Sequence, residues 1–119
     1  MYKIAIIDDE TEILKILERF LQKDFQVKTF TNPLNGYQEV VQGHFDLLLC
    51  DIMMPQLNGL ELLKKLRDNN CDTKVIMMTA FDSLDKALQA HTYGAKNYIK
   101  KPFKSLDSIT TLILQELQN

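Results

Sequence analysis

Hydrophobic residues follow two alternating patterns along the chain: short apolar runs, and longer stretches in which apolar positions recur every three or four residues. The short runs predict strands, and the longer stretches predict amphipathic helices. The predicted strands are residues 3–7, 25–30, 47–50, 75–78 and 96–99. The predicted helices are residues 11–24, residues 33–43, the segment after Pro55 and Gly59, residues 83–93 and residues 105–117. Five strand–helix units therefore follow one another.

Strands that alternate with helices in this way predict a parallel sheet with helices on both faces. The first, third and fourth strands are continuous apolar runs, which is typical of central strands, whereas the second and fifth are predicted at the edges. The strand order 2-1-3-4-5 satisfies both conditions. The predicted fold class is therefore α/β, with a five-stranded doubly wound parallel sheet in one domain that spans residues 1–119.

Composition and charge narrow the class of protein. The chain has 119 residues, of which 45% are hydrophobic, and this is enough for a packed core without disulfides or a structural metal. Its 14 Lys and Arg against 16 Asp and Glu leave no basic excess for binding nucleic acid. No apolar run is long enough for a membrane span, and no signal-peptide pattern follows Met1. Cys50 and Cys71 are therefore expected to be free thiols in a reducing cytoplasm.

Charged and hydroxyl side chains stand where the predicted strands stop. Ligands of open parallel sheets bind at the carboxyl ends of the strands, near the point where the strand order reverses. Four of the five strands place polar residues there: Asp8, Asp9 and Glu10, then Asp51, Thr79 and Lys101. We therefore expect Asp8, Asp9 and Asp51 to meet at one edge of the sheet, with Thr79 and Lys101 beside them.

These residue types favour phosphoryl chemistry. Three carboxylates in one cleft repel one another, and a hard divalent cation such as Mg²⁺ relieves that repulsion. Lys101 would add a positive charge and Thr79 a hydroxyl donor, which suits a phosphoryl group. Asp51 is the best nucleophile candidate, because it stands alone at a central strand and aspartyl phosphate is an established type of intermediate. Asp8 and Asp9 are adjacent and better placed to hold the metal.

Several short motifs are spread over the whole chain. They are residues 6–10 (IIDDE), residues 51–55 (DIMMP) with Gly59, residues 78–80 (MTA) and residues 101–103 (KPF). With these motifs at this spacing, the chain resembles the receiver domains of two-component response regulators, which share the flavodoxin-like fold of the chemotaxis response regulator. The resemblance implies a signalling domain that takes its phosphoryl group from a sensor histidine kinase or a phosphotransfer protein.

The resemblance also implies roles for individual residues. Asp51 would be the phosphoacceptor, and both Thr79 and Lys101 would contact the phosphoryl oxygens. The implied ligands of Mg²⁺ are Asp8, Asp9, Asp51 and the backbone carbonyl of Met53. The peptide bond between Lys101 and Pro102 would be cis, which is uncommon even before proline.

The implied output is a change of surface. Phosphorylation would draw Thr79 inward, and Tyr98 would rotate into the space behind it. The face formed by the fourth helix, the fifth strand and the fifth helix would then bind a downstream protein target. Met53 and Phe81 would flank the attacking water without orienting it, so we expect slow self-dephosphorylation. We expect no output domain after the last helix in this sequence, which leaves a stand-alone regulator, a phosphorelay shuttle or the front of a larger protein.

Other functions remain open at this point. A binding module of the same fold would never become phosphorylated. A flavodoxin-like flavin protein would need a phosphate-binding loop after the first strand, where this chain has acids. A phosphatase with an aspartate nucleophile would need a second acid two residues after Asp51, where Met53 stands. Three further residues are expected to be structural: Cys50 in the core, His44 in a loop and His91 on the inner side or rim of the fourth helix.

Overall fold

Strands and helices alternate along the chain in the computed structural model, which describes residues 1–80 and 84–119. The strands are Lys3–Ile7 (β1), Gln26–Phe30 (β2), Leu47–Asp51 (β3), Lys74–Thr79 (β4) and Asn97–Lys100 (β5). The helices are Thr11–Leu21 (α1), Pro33–Val40 (α2), Gly59–Asp68 (α3), Leu84–His91 (α4) and Leu106–Gln118 (α5). The first two helices each end three residues earlier than the sequence pattern predicts.

The five strands form one parallel sheet in the order β2-β1-β3-β4-β5. This confirms the predicted fold class and the placement of β2 and β5 at the edges. In the register of the sheet, Ile7 lies opposite Cys50, and Asp51 lies opposite Met78. The carboxyl ends of β1, β3 and β4 therefore reach the same edge, where the chain leaves the sheet in loops.

Side-chain caps define where three of the helices begin. Asn32 accepts two backbone N–H bonds at the start of α2, with Pro33 at the first helical position. Asn58 and Glu61 form a reciprocal capping box at the start of α3. Ser105 caps α5 through its hydroxyl group. Because α3 and α5 follow the loops that carry the polar residues, these caps also fix where those loops end.

Two hydrophobic layers enclose the sheet. Helices α1 and α5 pack on one face, and α2, α3 and α4 pack on the other. Cys50 lies in the core beneath α2–α4, as predicted, and both cysteines are buried free thiols. Among the described residues, no helix has the length and the apolar character that crossing a bilayer requires.

The orientation of α4 differs from the sequence prediction. Ala90 is fully buried, whereas Leu88 and His91 are exposed. Of the two predicted positions of His91, the inner side is therefore wrong: each helical residue turns the chain by about 100°, and the inward face is the one that carries Ala90. The side chains of Leu84 and Ala87, two further apolar residues of this helix, lie outside the described part of the structure, as does Ser83.

Gly59 allows close packing beside the end of β3. A methyl group on Gly59 would lie 2.7 Å from the Cε of Met77 and even closer to the backbone oxygen of Asp51. We expect Gly59→Ala to lower the free energy of unfolding by about 1–3 kcal/mol, because overpacking outweighs the better helix propensity of alanine. Urea denaturation measures the change. Lys64→Ala, at an exposed position of the same helix, should stay within about 0.5 kcal/mol of the wild type, and equal values for both variants would contradict the expectation.

Candidate functional site

Four acidic side chains gather at the carboxyl edge of the sheet. Asp8, Asp9 and Glu10 follow β1, and Asp51 ends β3. Each offers a carboxylate oxygen, and these oxygens all lie within 4.8 Å of one another. Asp8 is fully buried and Asp51 is 5% exposed, whereas Asp9 and Glu10 face solvent. The structure therefore brings the predicted acids together at the point where the strand order reverses, and it adds Glu10 to them.

Lys101 reaches into this acidic cluster from the loop after β5. Its Nζ lies 2.6 Å from the Oδ2 of Asp8 and 3.4 Å from the Oδ2 of Asp51. The same ammonium group lies 3.4 Å from the Oε1 of Glu10, and the Lys101 side chain is only 12% exposed. The contact between Lys101 and Glu10 was not predicted, although the position of Glu10 directly after Asp8 and Asp9 in the sequence indicates that it lies close to them.

Backbone hydrogen bonds hold the loops around the cluster. The amide N–H of Lys101 donates to the carbonyl of Thr79 over 2.8 Å, which fixes the loop after β5 against the end of β4. The N–H of Gly59 donates to the carbonyl of Ile52 over 2.8 Å and closes the loop after β3. The peptide bond between Lys101 and Pro102 is cis, as predicted.

Burial and charge perturb the ionisation of the cluster. Burial raises the pKa of Asp51 to about 7, with a further increase from the charge of Asp8 and an opposing effect of Lys101. Burial also raises the pKa of Asp8, against hydrogen bonds from Lys101 and from the backbone of Glu10. Burial lowers the pKa of Lys101, but its hydrogen bond to Asp8 and the charge of Asp51 outweigh this and raise it overall. One ammonium group therefore compensates the carboxylates only in part.

The remaining predicted residues lie beside the cluster or away from it. Thr79 is buried at the end of β4, and its hydroxyl group donates to the carbonyl of Ala80 over 2.8 Å. Met53 lies in the loop after β3 with an exposed side chain. Tyr98 is exposed on the edge strand β5, opposite Met77. Phe81, which was predicted to flank the attacking water, lies outside the described residues.

The donor atoms of the cluster fit a hard divalent cation. Its four members offer carboxylate oxygens only, which Mg²⁺ prefers over nitrogen or sulfur ligands. Burial raises the pKa of Asp8 and of Asp51, and the charge of Asp8 raises that of Asp51 further, so a nearby cation would stabilise both ionised carboxylates. The arrangement is therefore able to hold Mg²⁺ and, beside it, an anionic group that contacts Lys101.

Comparison with known proteins gives consistent results. The family model described as "Response regulator receiver domain" matches residues 4–113. The transcriptional regulatory protein CiaR of Streptococcus pneumoniae is 35% identical over 103 residues, which are 87% of this chain and 46% of CiaR. This chain spans less than half the length of the curated relatives that it matches first.

Solved structures share the whole fold. A response regulator receiver domain protein from Clostridium thermocellum superposes with a TM-score of 0.91 at 26% identity, covering 99% of this chain and 95% of the other. A CheY-like response regulator receiver domain protein from Methanospirillum hungatei gives a TM-score of 0.90 at 29% identity, covering 99% and 94% of the two chains. The similarity therefore extends over nearly the full length of each domain.

Proposed function

This chain belongs to the response regulator receiver domain family, and we propose that it accepts a phosphoryl group on Asp51 in a Mg²⁺-dependent reaction. The observation that carries the proposal is the contact of one ammonium group, that of Lys101, with two buried carboxylates, those of Asp8 and Asp51. We propose that the chain acts in the cytoplasm and that its phosphoryl donor is a sensor histidine kinase or a phosphotransfer protein. The domain would act as a signalling phosphoacceptor that catalyses its own modification.

In the proposed reaction, a carboxylate oxygen of Asp51 attacks the phosphorus atom of the donor. The bond between phosphorus and the donor's leaving atom breaks, and an acyl phosphate forms. Lys101, 3.4 Å from the Oδ2 of Asp51, would pair with the incoming phosphoryl oxygens. The ligands of Mg²⁺ would be Asp8, Asp9, Asp51 and the backbone carbonyl of Met53. When bound, the ion would neutralise charge on the phosphoryl group.

The proposed output is a rearrangement next to β4 and β5. The hydroxyl group of Thr79 would leave the carbonyl of Ala80 and donate to a phosphoryl oxygen, and Tyr98 would turn inward from its exposed position. Leu88 on α4 is exposed as well, so apolar side chains are available on the α4–β5–α5 face. We propose that this face binds the downstream protein target.

The proposed acyl phosphate would be lost slowly. The side chain of Met53 lacks a group that strongly orients water, because a thioether is a weak hydrogen-bond acceptor. Replacing Met53 and Phe81 together, as Met53→Asn/Phe81→Glu, should shorten the phosphoryl half-life relative to the wild type. The half-life is measured on a phosphate-affinity gel after the phosphoryl donor is removed, and an unchanged or longer half-life would contradict this expectation.

Acetyl phosphate provides the test of the proposed function. The full chain should take up one phosphoryl group in the presence of Mg²⁺ and none in excess EDTA, as measured on a phosphate-affinity gel. Peptide mapping by mass spectrometry should locate the group on Asp51. Asp72→Asn is the matched control, because Asp72 is an exposed acid just before β4, at the opposite end of the sheet, and this variant should retain uptake.

Two results would contradict the proposal. If Mg²⁺ and acetyl phosphate leave the wild-type chain unmodified, the fold serves as a binding module without phosphorylation. If the purified chain carries a yellow flavin, the edge of the sheet binds that cofactor instead.

A further inference from the structure

The methionine side chains differ widely in exposure, and all five lie in the described part of the chain. Three of them are buried in the core: Met54, Met77 and Met78. Met1 is 79% exposed and Met53 is 51% exposed. Met53 lies in the loop after β3, two residues from Asp51. Its thioether is therefore open to oxidants in solvent, and oxidation of an exposed methionine gives a polar sulfoxide.

Lys86 of α4 directs its ammonium group at the sulfur of Met53. The distance from Nζ to Sδ is 3.7 Å, which is within hydrogen-bonding range for sulfur. A thioether is a weak acceptor, so this contact withdraws little electron density and leaves a second lone pair on the sulfur for reaction. A proton donor is thus held beside an exposed and oxidisable side chain.

We propose that Met53 is an oxidation site for peroxides and that Lys86 promotes the reaction. A sulfur lone pair attacks one oxygen of hydrogen peroxide, and the O–O bond breaks. The departing oxygen takes a proton from Lys86 and leaves as water, and the hydroxysulfonium formed on Met53 returns a proton to Lys86. The products are methionine sulfoxide and water. The sulfur gives up two electrons, which the peroxide gains.

The oxidised side chain would change the surroundings of Asp51. A sulfoxide oxygen is a far better acceptor than a thioether, so Lys86 would hold it through a charge-assisted hydrogen bond. A second lone pair on that oxygen would be free to orient a water molecule near Asp51. The acyl phosphate should then hydrolyse faster. This consequence rests on the proposed function, whereas the oxidation of Met53 does not.

Peptide mass spectrometry after timed exposure to hydrogen peroxide tests the oxidation. Met53 should react about three- to tenfold faster than Met1 despite its lower exposure, a smaller gain than positioned acids give in enclosed active sites. In Lys86→Ala, the rate at Met53 should fall to that of Met1 or below. The control Lys64→Ala removes an exposed lysine of α3 and should not change the ratio. Slower reaction at Met53 than at Met1, or an unchanged ratio in Lys86→Ala, would overturn the proposal.

The lifetime of the acyl phosphate tests the consequence. Wild-type protein that has been oxidised and then phosphorylated should lose its phosphoryl group about threefold faster than the reduced protein, a smaller gain than a positioned general base gives. In the Met53→Leu variant, which has no sulfur at this position, the acyl phosphate should have the same lifetime with and without peroxide treatment. Equal lifetimes in the oxidised and reduced wild type would overturn the consequence. A chain that takes up no phosphoryl group would instead refute the proposed function, and the oxidation rates would still decide the role of Lys86.

Discussion

Replacing Asp51 by asparagine is expected to stabilise the metal-free protein by about 2–4 kcal/mol at pH 8, while abolishing phosphoryl uptake. Asp51 is 5% exposed and lies beside the charge of Asp8, and these surroundings raise its pKa to about 7. At pH 8 the wild type must therefore hold a buried charge that one shared ammonium group compensates only in part. Asparagine has a similar shape and carries no charge, so it removes this cost together with the nucleophile.

The pH dependence follows from the direction of the shift. The pKa of Asp51 is about 7 in the folded chain and near its ordinary value of 3.8 in the unfolded chain. Between these values the folded state binds more protons, so the wild type loses stability as the pH rises. The asparagine side chain of the Asp51→Asn variant does not titrate, and the advantage of the variant should therefore grow from about pH 4 and level off above about pH 7. Urea denaturation in EDTA at pH 5, 6, 7 and 8 measures this difference.

The control for this prediction is Asp72→Asn, at an exposed acid near the opposite end of the sheet. Its free energy of unfolding should stay within about 0.5 kcal/mol of the wild type at every pH. If the Asp51→Asn variant and the wild type are equally stable at pH 8, the buried carboxylate is already compensated and the charge imbalance described for the cluster does not exist.

The sequence pattern was sufficient to predict the sheet, because the fold depends on burial. Continuous apolar runs such as 47–50 can only be covered from both sides, and this placed β1, β3 and β4 in the centre. The strand order then brought the acids after β1 and β3 together. The position of Asp8 and Asp51 in one cluster was thus predictable from periodicity and topology alone.

Individual side-chain contacts were less predictable, because they depend on distances across the fold. Glu116 is an example: its carboxylate is buried and accepts a hydrogen bond of 2.7 Å from Asn97. It lies three residues after Ile113 on the inward side of α5. A charged residue at an apolar position of the helical pattern could therefore have indicated a buried, hydrogen-bonded carboxylate. The hydrogen bond of 2.7 Å from the Nζ of Lys74 to the carbonyl of Glu116 could not be predicted from the pattern, since it joins two segments that are distant in the sequence.

The cluster holds an ammonium group where a metal ion would also bind. Lys101 lies 2.6 Å from the Oδ2 of Asp8, one of the proposed ligands of Mg²⁺. In the metal-free chain Lys101 therefore acts as a counter-ion, and Mg²⁺ has to compete with it for the carboxylates. During phosphoryl transfer the same ammonium group would favour the reaction, because it would pair with the incoming phosphoryl oxygens. The two roles predict opposite effects when Lys101 is removed.

We expect Lys101→Ala to bind Mg²⁺ about tenfold more tightly than the wild type, because the variant lacks one charge-assisted contact that competes with the ion for the carboxylates. Phosphoryl uptake from acetyl phosphate should nevertheless fall by about 10²-fold, the usual effect of removing one donor to a developing anion. Isothermal titration calorimetry and the initial rate of uptake measure the two effects. Lys104→Ala, at an exposed position three residues further along, should change neither. Weaker binding of Mg²⁺ together with slower uptake would indicate general damage to the cluster. Only tighter binding of Mg²⁺ together with slower uptake supports a lysine that competes with the metal and assists the transfer.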